Sequence, residues 1–206
     1  MRTRYITKNH LSKFKLVLFK MKYPQKIHVW DLPLDKVYIR FRQEFSNEFF
    51  GLAHKKFGSY RKIGEFLNIK RADTTIPCNW MRGITCYPLC LIVALLNKLD
   101  VPLSGVEDNI IKIRYKSHIN KRGGNSGKPI INPILPVVIN EDFAEILGHL
   151  CGDGTISMSS PHKGICFGYI NSEPSLIEHF KKLVNRIFGE IEPNILVREG
   201  GNYTRP

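Results

Sequence analysis

Residues 143–154, Phe-Ala-Glu-Ile-Leu-Gly-His-Leu-Cys-Gly-Asp-Gly, constrain this chain more than any other stretch. They read as an amphipathic helix that ends on one carboxylate between two glycines. Asn140 caps its start, and Glu141 and Asp142 fill the first turn, where the helix dipole favours negative charge. Phe143, Ile146, Leu147 and Leu150 recur at helical spacing as an apolar face. Ala144, Gly148 and Gly152 recur every fourth residue as a second stripe. With no large side chains in the way, such a stripe lets another helix approach backbone to backbone. Asp153 stands at the helix C-terminus, where the dipole opposes an anion, so its charge calls for a cation. A hard, oxygen-seeking ion such as Mg2+ suits it. The competing explanation is an ordinary Gly-Asp-Gly turn after a core helix.

The segment resembles the LAGLIDADG motif of homing endonucleases, the mobility enzymes of introns and inteins. Ile146-Leu147-Gly148-His149-Leu150-Cys151-Gly152-Asp153-Gly154 fills the motif, with His149 and Cys151 at positions that vary in the family. The resemblance implies two such helices packed along their small residues, each bringing its motif aspartate to a shared metal site. Carried over, Asp153 is the catalytic and metal-ligating carboxylate, the Gly152 carbonyl is a further metal ligand, and the cofactor is Mg2+. The implied reaction is site-specific double-strand DNA cleavage by metal-assisted phosphodiester hydrolysis.

Downstream, Thr155–Ser160 and Gly164–Asn171 alternate as two strands joined at Ser160-Pro161-His162-Lys163. Pro174 opens a helix, with Glu173 before it and an apolar face of Leu176, Ile177, Phe180, Leu183, Val184 and Ile187. Gly189 closes it, and Ile195-Leu196-Val197 starts a third strand. The order αββαβ is that of the first part of the endonuclease fold, whose strands form a saddle reading the DNA major groove. By position, Ser157, Ser159, Lys163, Tyr169 and Asn171 are the candidate DNA contacts. The resemblance also implies further strands, closing helices and an assisting basic residue, for which the chain after Gly154 has no room. The expectation is therefore a truncated domain with a single motif. Its second aspartate would come from a homodimer partner or a missing C-terminal half, across the Ala144/Gly148/Gly152 face.

The N-terminal half reads as helical from about Arg42 to Leu99. Phe45, Phe49, Phe50, Leu52 and Ala53 share one helix closed at Gly58, and Ser59 caps the next, which carries Ile63, Phe66 and Leu67. Thr74–Met81 follows, ended by Gly83. Pro88 opens a last helix with Leu89, Ile92, Val93, Leu95 and Leu96 buried. Tyr60-Arg61-Lys62-Ile63-Gly64-Glu65-Phe66-Leu67-Asn68-Ile69 and Ile76-Pro77-Cys78-Asn79-Trp80-Met81-Arg82-Gly83 resemble a repressor-like helix-turn-helix. That resemblance implies DNA contacts from Arg71, Thr74, Thr75, Asn79 and Arg82, with Trp80 in the core. Pro77 requires the second helix to be short or to start near Ile76. A generic helical bundle is the alternative.

Together these readings give an α+β chain in four parts. Residues 1–41 form a basic arm with short strands and 42–113 a helix-turn-helix domain. Residues 114–139 form a basic Gly/Pro linker, and 140–206 a truncated endonuclease domain. Lys and Arg outnumber Asp and Glu by 31 to 18 in the 206 residues, a net charge of +13 that favours a polyanion such as nucleic acid. The Gly-Gly-Asn-Ser-Gly-Lys run at 123–128 lacks the spacing of a phosphate-binding loop. Five cysteines with no Cys-x-x-Cys pair argue against a disulfide framework or zinc ribbon, and for reduced thiols in the cytoplasm. No apolar run is long enough to span a membrane. Double-stranded DNA is the expected partner. The alternatives are a non-catalytic DNA-binding regulator and an RNA-splicing maturase.

Overall fold

The computed structural model describes residues 25–69, 75–115, 128–158 and 165–193. The fold is mixed α+β and is built on two hydrophobic cores. Strand β1 (Lys26–Ile27), whose Ile27 packs on the second core, is followed by a 3-10 turn at Val29–Asp31 and by β2 (Val37–Phe41), with which the first core begins. Strand β2 alternates as a one-sided strand must, with Val37, Ile39 and Phe41 buried. Helix α1 (Gln43–Phe57) buries Ser46, Phe49, Phe50 and Ala53 along one stripe and ends at Gly58, in the left-handed region at φ +80°. The Ser59 hydroxyl accepts from the Lys62 amide and starts α2 (Tyr60–Phe66).

Helix α3 (Thr75–Met81) takes Pro77 in its first turn, where the amide that proline lacks has no intrahelical acceptor. The helix thus starts beside Ile76, the placement Pro77 allows. Its end is closed by the Ile84 amide on the Asn79 carbonyl and the Gly83 amide on the Trp80 carbonyl, with Gly83 at φ +63°. Strand β3 (Tyr87–Pro88) leads into α4 (Leu89–Leu99), which buries Leu89, Ile92, Leu95 and Leu96. A 3-10 turn at Glu107–Asn109 precedes β4 (Ile110–Tyr115).

An aromatic cluster fills the centre of this core. Phe41 lies against Phe45 at 4.9 Å, and Phe50 against Tyr87 at 5.5 Å, both edge to face. The Tyr87 hydroxyl is fully buried and satisfied: it donates to Ser46 Oγ at 3.1 Å and accepts from the Phe41 amide at 3.4 Å. Ser46 passes the chain on by donating to the Trp80 carbonyl at 3.0 Å. At the other edge, the buried Glu107 carboxylate accepts from the Val29 amide at 2.7 Å and meets His28 Nδ1 at 2.8 Å.

The second core is a helix pair on a hairpin. Helix α5 (Glu141–Asp153) starts with the Asn140 side chain accepting from the Phe143 amide, and α6 (Pro174–Phe188) with the Glu173 side chain accepting from the Ser175 amide. The helices run antiparallel, joined by Arg186 on Asp142 at 3.0 Å and His179 on Glu145 at 2.7 Å. Ile146, Phe180, Leu183, Val184 and Ile187 bury against Val137. Between the helices, β7 (Gly154–Met158) pairs antiparallel with β8 (Ile165–Tyr169).

Four short strands tie the cores together. Strand β5 (Ile130–Ile131) pairs with β4 on one side and β9 (Glu190–Ile191) on the other, completing a five-stranded antiparallel sheet in the order β3-β2-β4-β5-β9. Strand β6 (Val137–Val138) pairs with β1. The described part of the expected linker, 128–139, is thus woven into two sheets, because Ile130, Ile131, Val137 and Val138 are apolar enough to pair where Gly and Pro suggested a spacer. Strand β2 falls within the expected arm of residues 1–41 and lies between β3 and β4 in the sheet. Leu147 and Leu176, expected on buried faces, are each 40% exposed. The Ile195–Val197 strand lies outside the described residues. No helix among them is long and apolar enough to cross a membrane.

Burial holds the Tyr87 phenol above its ordinary value of 10.0, outweighing its hydrogen bonds with Ser46 and the Phe41 amide and the charge of Arg40. A folded-state value above the unfolded one contributes stability that is intact below the unfolded value and lost as pH rises through the folded one. Urea unfolding should therefore show stability falling above about pH 10. In Tyr87→Phe that alkaline loss shrinks, while neutral-pH stability drops by about 1 kcal/mol for the lost hydrogen bond. Identical alkaline slopes in the two proteins would rule this out.

Candidate functional site

Helix α5 runs straight into β7, with Asp153 the last helical residue and Gly154 the first of the strand. A Cβ on Gly154 would land on the Leu150 carbonyl oxygen and sit 2.6 Å from Leu150 Cα, so glycine alone permits the turn. The exit of β8 then holds Asp153 twice. The Ile170 amide donates to its carbonyl at 3.1 Å, and Asn171 Nδ2 donates to carboxylate Oδ2 at 2.8 Å. Asn171 is itself fixed, because its Oδ1 accepts from the Glu173 amide at 2.8 Å. Asn171 Nδ2 also lies 3.2 Å from the Tyr169 hydroxyl, which sits 3.1 Å from His149 Nδ1. The Tyr169 ring stacks on Phe180 at 4.5 Å. Of the predicted strand contacts, Asn171 is therefore engaged by Asp153, and Tyr169 by Asn171 and His149.

Both Asp153 and Gly152 are exposed. A Cβ built on Gly148 or Gly152 would meet no atom within 4 Å. Ala144 is half-buried and Leu147 exposed beside them, so the small-residue stripe lies on the open surface while Ile146 faces the core. A helix leaves the carbonyls of its last turn without intrahelical partners, and Gly152 belongs to that turn. One carboxylate and one carbonyl are hard oxygen donors that suit Mg2+, but they make only part of a coordination set. Among the described residues, Asp153 belongs to no group of three or more ligand side chains. The donors fit half of a site completed from elsewhere.

The other predicted contacts lie on the first core or outside the described residues. Arg82 is exposed and Asn79 half-buried at the end of α3, with Trp80 in the core. Side chains from outside hold that end: Gln43 Nε2 donates to the Met81 carbonyl at 2.7 Å, Ser46 Oγ donates to that of Trp80, and Tyr60 Oη donates to Met81 Sδ at 2.7 Å. Thr75 begins α3, and Ser157 pairs with Cys166 across β7 and β8. Arg71, Thr74, Ser159 and Lys163 lie outside the described residues.

Two features escaped the sequence. Tyr38, Arg40, Lys112, Arg114 and Tyr115 line a groove of about 410 Å³ with Ile84, Thr85 and Cys86 on the face of β2 and β4 away from the core. Alternation in two strands brings these cations together, which only the β2–β4 register reveals. Burial raises the Cys86 thiol above its ordinary value despite the opposing charges of Lys112, Arg114 and Arg40. The second feature is Glu145, His149 and His179, whose ligand atoms all lie within 4.8 Å of one another. Glu145 and His149 are spaced to share a helix face, but His179 joins them only through the packing of α5 on α6.

No family model, curated protein or solved structure matches the chain. The turn itself is directly testable. Gly154→Ala should cost roughly 2 kcal/mol or more in urea unfolding, because its obstacle is backbone that cannot swing aside. Gly148→Ala, facing open space, should be neutral or stabilising by a few tenths of a kcal/mol. Equal effects would show that the turn imposes no such requirement.

Proposed function

We propose that this chain is a nucleic-acid-binding protein of the LAGLIDADG homing endonuclease type, with double-stranded DNA as its target and Asp153 as one half of a phosphodiester-hydrolysing centre. The observation that carries the reading is the outer face of α5. Gly148 and Gly152 open to solvent, Leu147 is exposed beside them, and the exposed Asp153 carboxylate stands at the end of the same helix. A second motif helix, from another copy of this chain or a C-terminal half, would pack on that face and bring a second carboxylate beside Asp153.

Asp153 and the Gly152 carbonyl would hold Mg2+. When bound, the ion would lower the proton affinity of an attacking water and stabilise the leaving oxygen. Asn171 leaves Asp153 Oδ1 free of its own hydrogen bond and fixes the rotamer through Oδ2, so the carboxylate is positioned before any ligand arrives.

DNA binding would rest on two surfaces of the first core. In the helix-turn-helix reading, α2 and α3 are the paired helices, and Asn79 and Arg82 would approach base edges from α3. Arg40, Lys112 and Arg114 would neutralise phosphates in the groove on the sheet, giving part of the +13 charge a place to act. A second reading is favoured by the single carboxylate: a DNA-binding regulator that does not cut. An RNA-splicing role would show as preference for intron RNA over duplex DNA.

Binding to duplex DNA should weaken steeply with salt, the logarithm of affinity falling linearly with the logarithm of salt concentration. Arg82→Ala should weaken it about tenfold, as expected for loss of a base or phosphate contact. Asp153→Asn should retain binding and abolish Mg2+-dependent strand cleavage. Binding without cleavage in the wild-type chain would select the regulator. A flat salt response in a gel-shift titration would remove nucleic acid as the partner.

A further inference from the structure

Glu145 and His149 lie four residues apart on α5, on the edge facing α6, and His179 meets them from α6. Glu145 Oε1 is 2.7 Å from His179 Nε2 and 4.0 Å from His149 Nε2. Ligands around a tetrahedral zinc ion, bonded at 2.0–2.1 Å, stand about 3.4 Å apart, a spacing these two distances bracket. Small rotations of Glu145 and His179, each about half exposed, would close the set. His149 is more rigid. Its side chain is 16% exposed, wedged against Phe180 at 5.6 Å and edge-on to Tyr169 at 5.2 Å. Its second ring nitrogen, Nδ1, rests 3.1 Å from the Tyr169 hydroxyl. With Nδ1–H donating to that hydroxyl, His149 would have the outer-shell arrangement of a metal-bound imidazole, the proton held on one nitrogen and the lone pair of the other presented to an ion.

We infer that Glu145, His149 and His179 form a binding site for a divalent transition metal of the Zn2+ class, clamping α5 to α6 and leaving one coordination position to water. Two imidazoles and one carboxylate select such ions over Mg2+, which prefers an all-oxygen shell. The site is separate from the one proposed at Asp153 and does not depend on the chain binding nucleic acid. What it shares with Asp153 is the path His149, Tyr169, Asn171, so an ion here would stiffen the side chains that hold the carboxylate.

The test is Zn2+ titration of the full chain, freed of any affinity tag and stripped with chelator, in competition with a chromophoric zinc indicator. One equivalent is expected, bound at least ten times more weakly by His179→Ala and by Glu145→Ala, and about ten times more weakly by Tyr169→Phe. Cys151→Ser, which removes an exposed thiol on the same helix, should bind as the wild type does. Zn2+ should raise the melting temperature of the wild type but not of His179→Ala, and Co2+ in its place should give the visible bands of a four-coordinate ion. His179 and Glu145 are exposed enough for their removal to leave the core intact, which circular dichroism would verify. Absence of bound zinc in the wild type would overturn the inference, as would His179→Ala binding it as tightly. The three side chains would then be a hydrogen-bonded clasp alone.

Discussion

The pairing of Ile130 and Ile131 with strands on both sides holds the two cores in one molecule. On one side β5 meets β4, which belongs to the aromatic core; on the other it meets β9, which follows α6 directly. The seam is reinforced by main-chain bonds on both flanks. The Asn132 amide donates to the Ile111 carbonyl at 2.9 Å, and the Ile134 amide to that of Phe188 at 3.2 Å. Gly189 makes the crossing possible. At φ +103° it passes so close to Asn132 and Pro133 that a Cβ would lie 2.8 Å from Pro133 Cα. The direction in which α5 presents Asp153 is therefore set by strands two residues long, through β9 and α6 on one side and through β6, paired with β1, on the other.

The sequence announced elements whose residues repeat a period or carry a stop signal. The helix starting after Asn140, the one opening at Pro174, and the stops at Gly58 and Gly83 all follow from side-chain chemistry local to each end. Strands of two residues repeat nothing. Ile130–Ile131 and Val137–Val138 lie among prolines and glycines, and their pairing depends on partners far along the chain. Leu147 and Leu176 show the opposite failure: a regular period placed them on buried faces that the packing leaves partly open.

The candidate site divides the same way. Asp153, its flanking glycines and the small-residue stripe were visible because they are contiguous. Asn171 and Tyr169 were noticed as strand residues, but their engagement with Asp153 and His149 comes from the hairpin doubling back on the helix. His149 read as a variable position, and its place beside Glu145 and His179 is a property of helix packing. The basic groove likewise exists only once β2 and β4 lie side by side. Contiguous chemistry is legible in a single sequence; chemistry assembled across elements waits for topology.

The end of α3 is held through main-chain atoms and one thioether, by Gln43, Ser46 and Tyr60, while Trp80 roots it in the core. The residues that fix this helix are thus different from those it shows to solvent at Arg82. Such a division frees the exposed positions to drift under selection without tilting the helix or loosening the core. A lineage built on this scaffold could vary the surface at this end of α3 one substitution at a time, with each intermediate still folded.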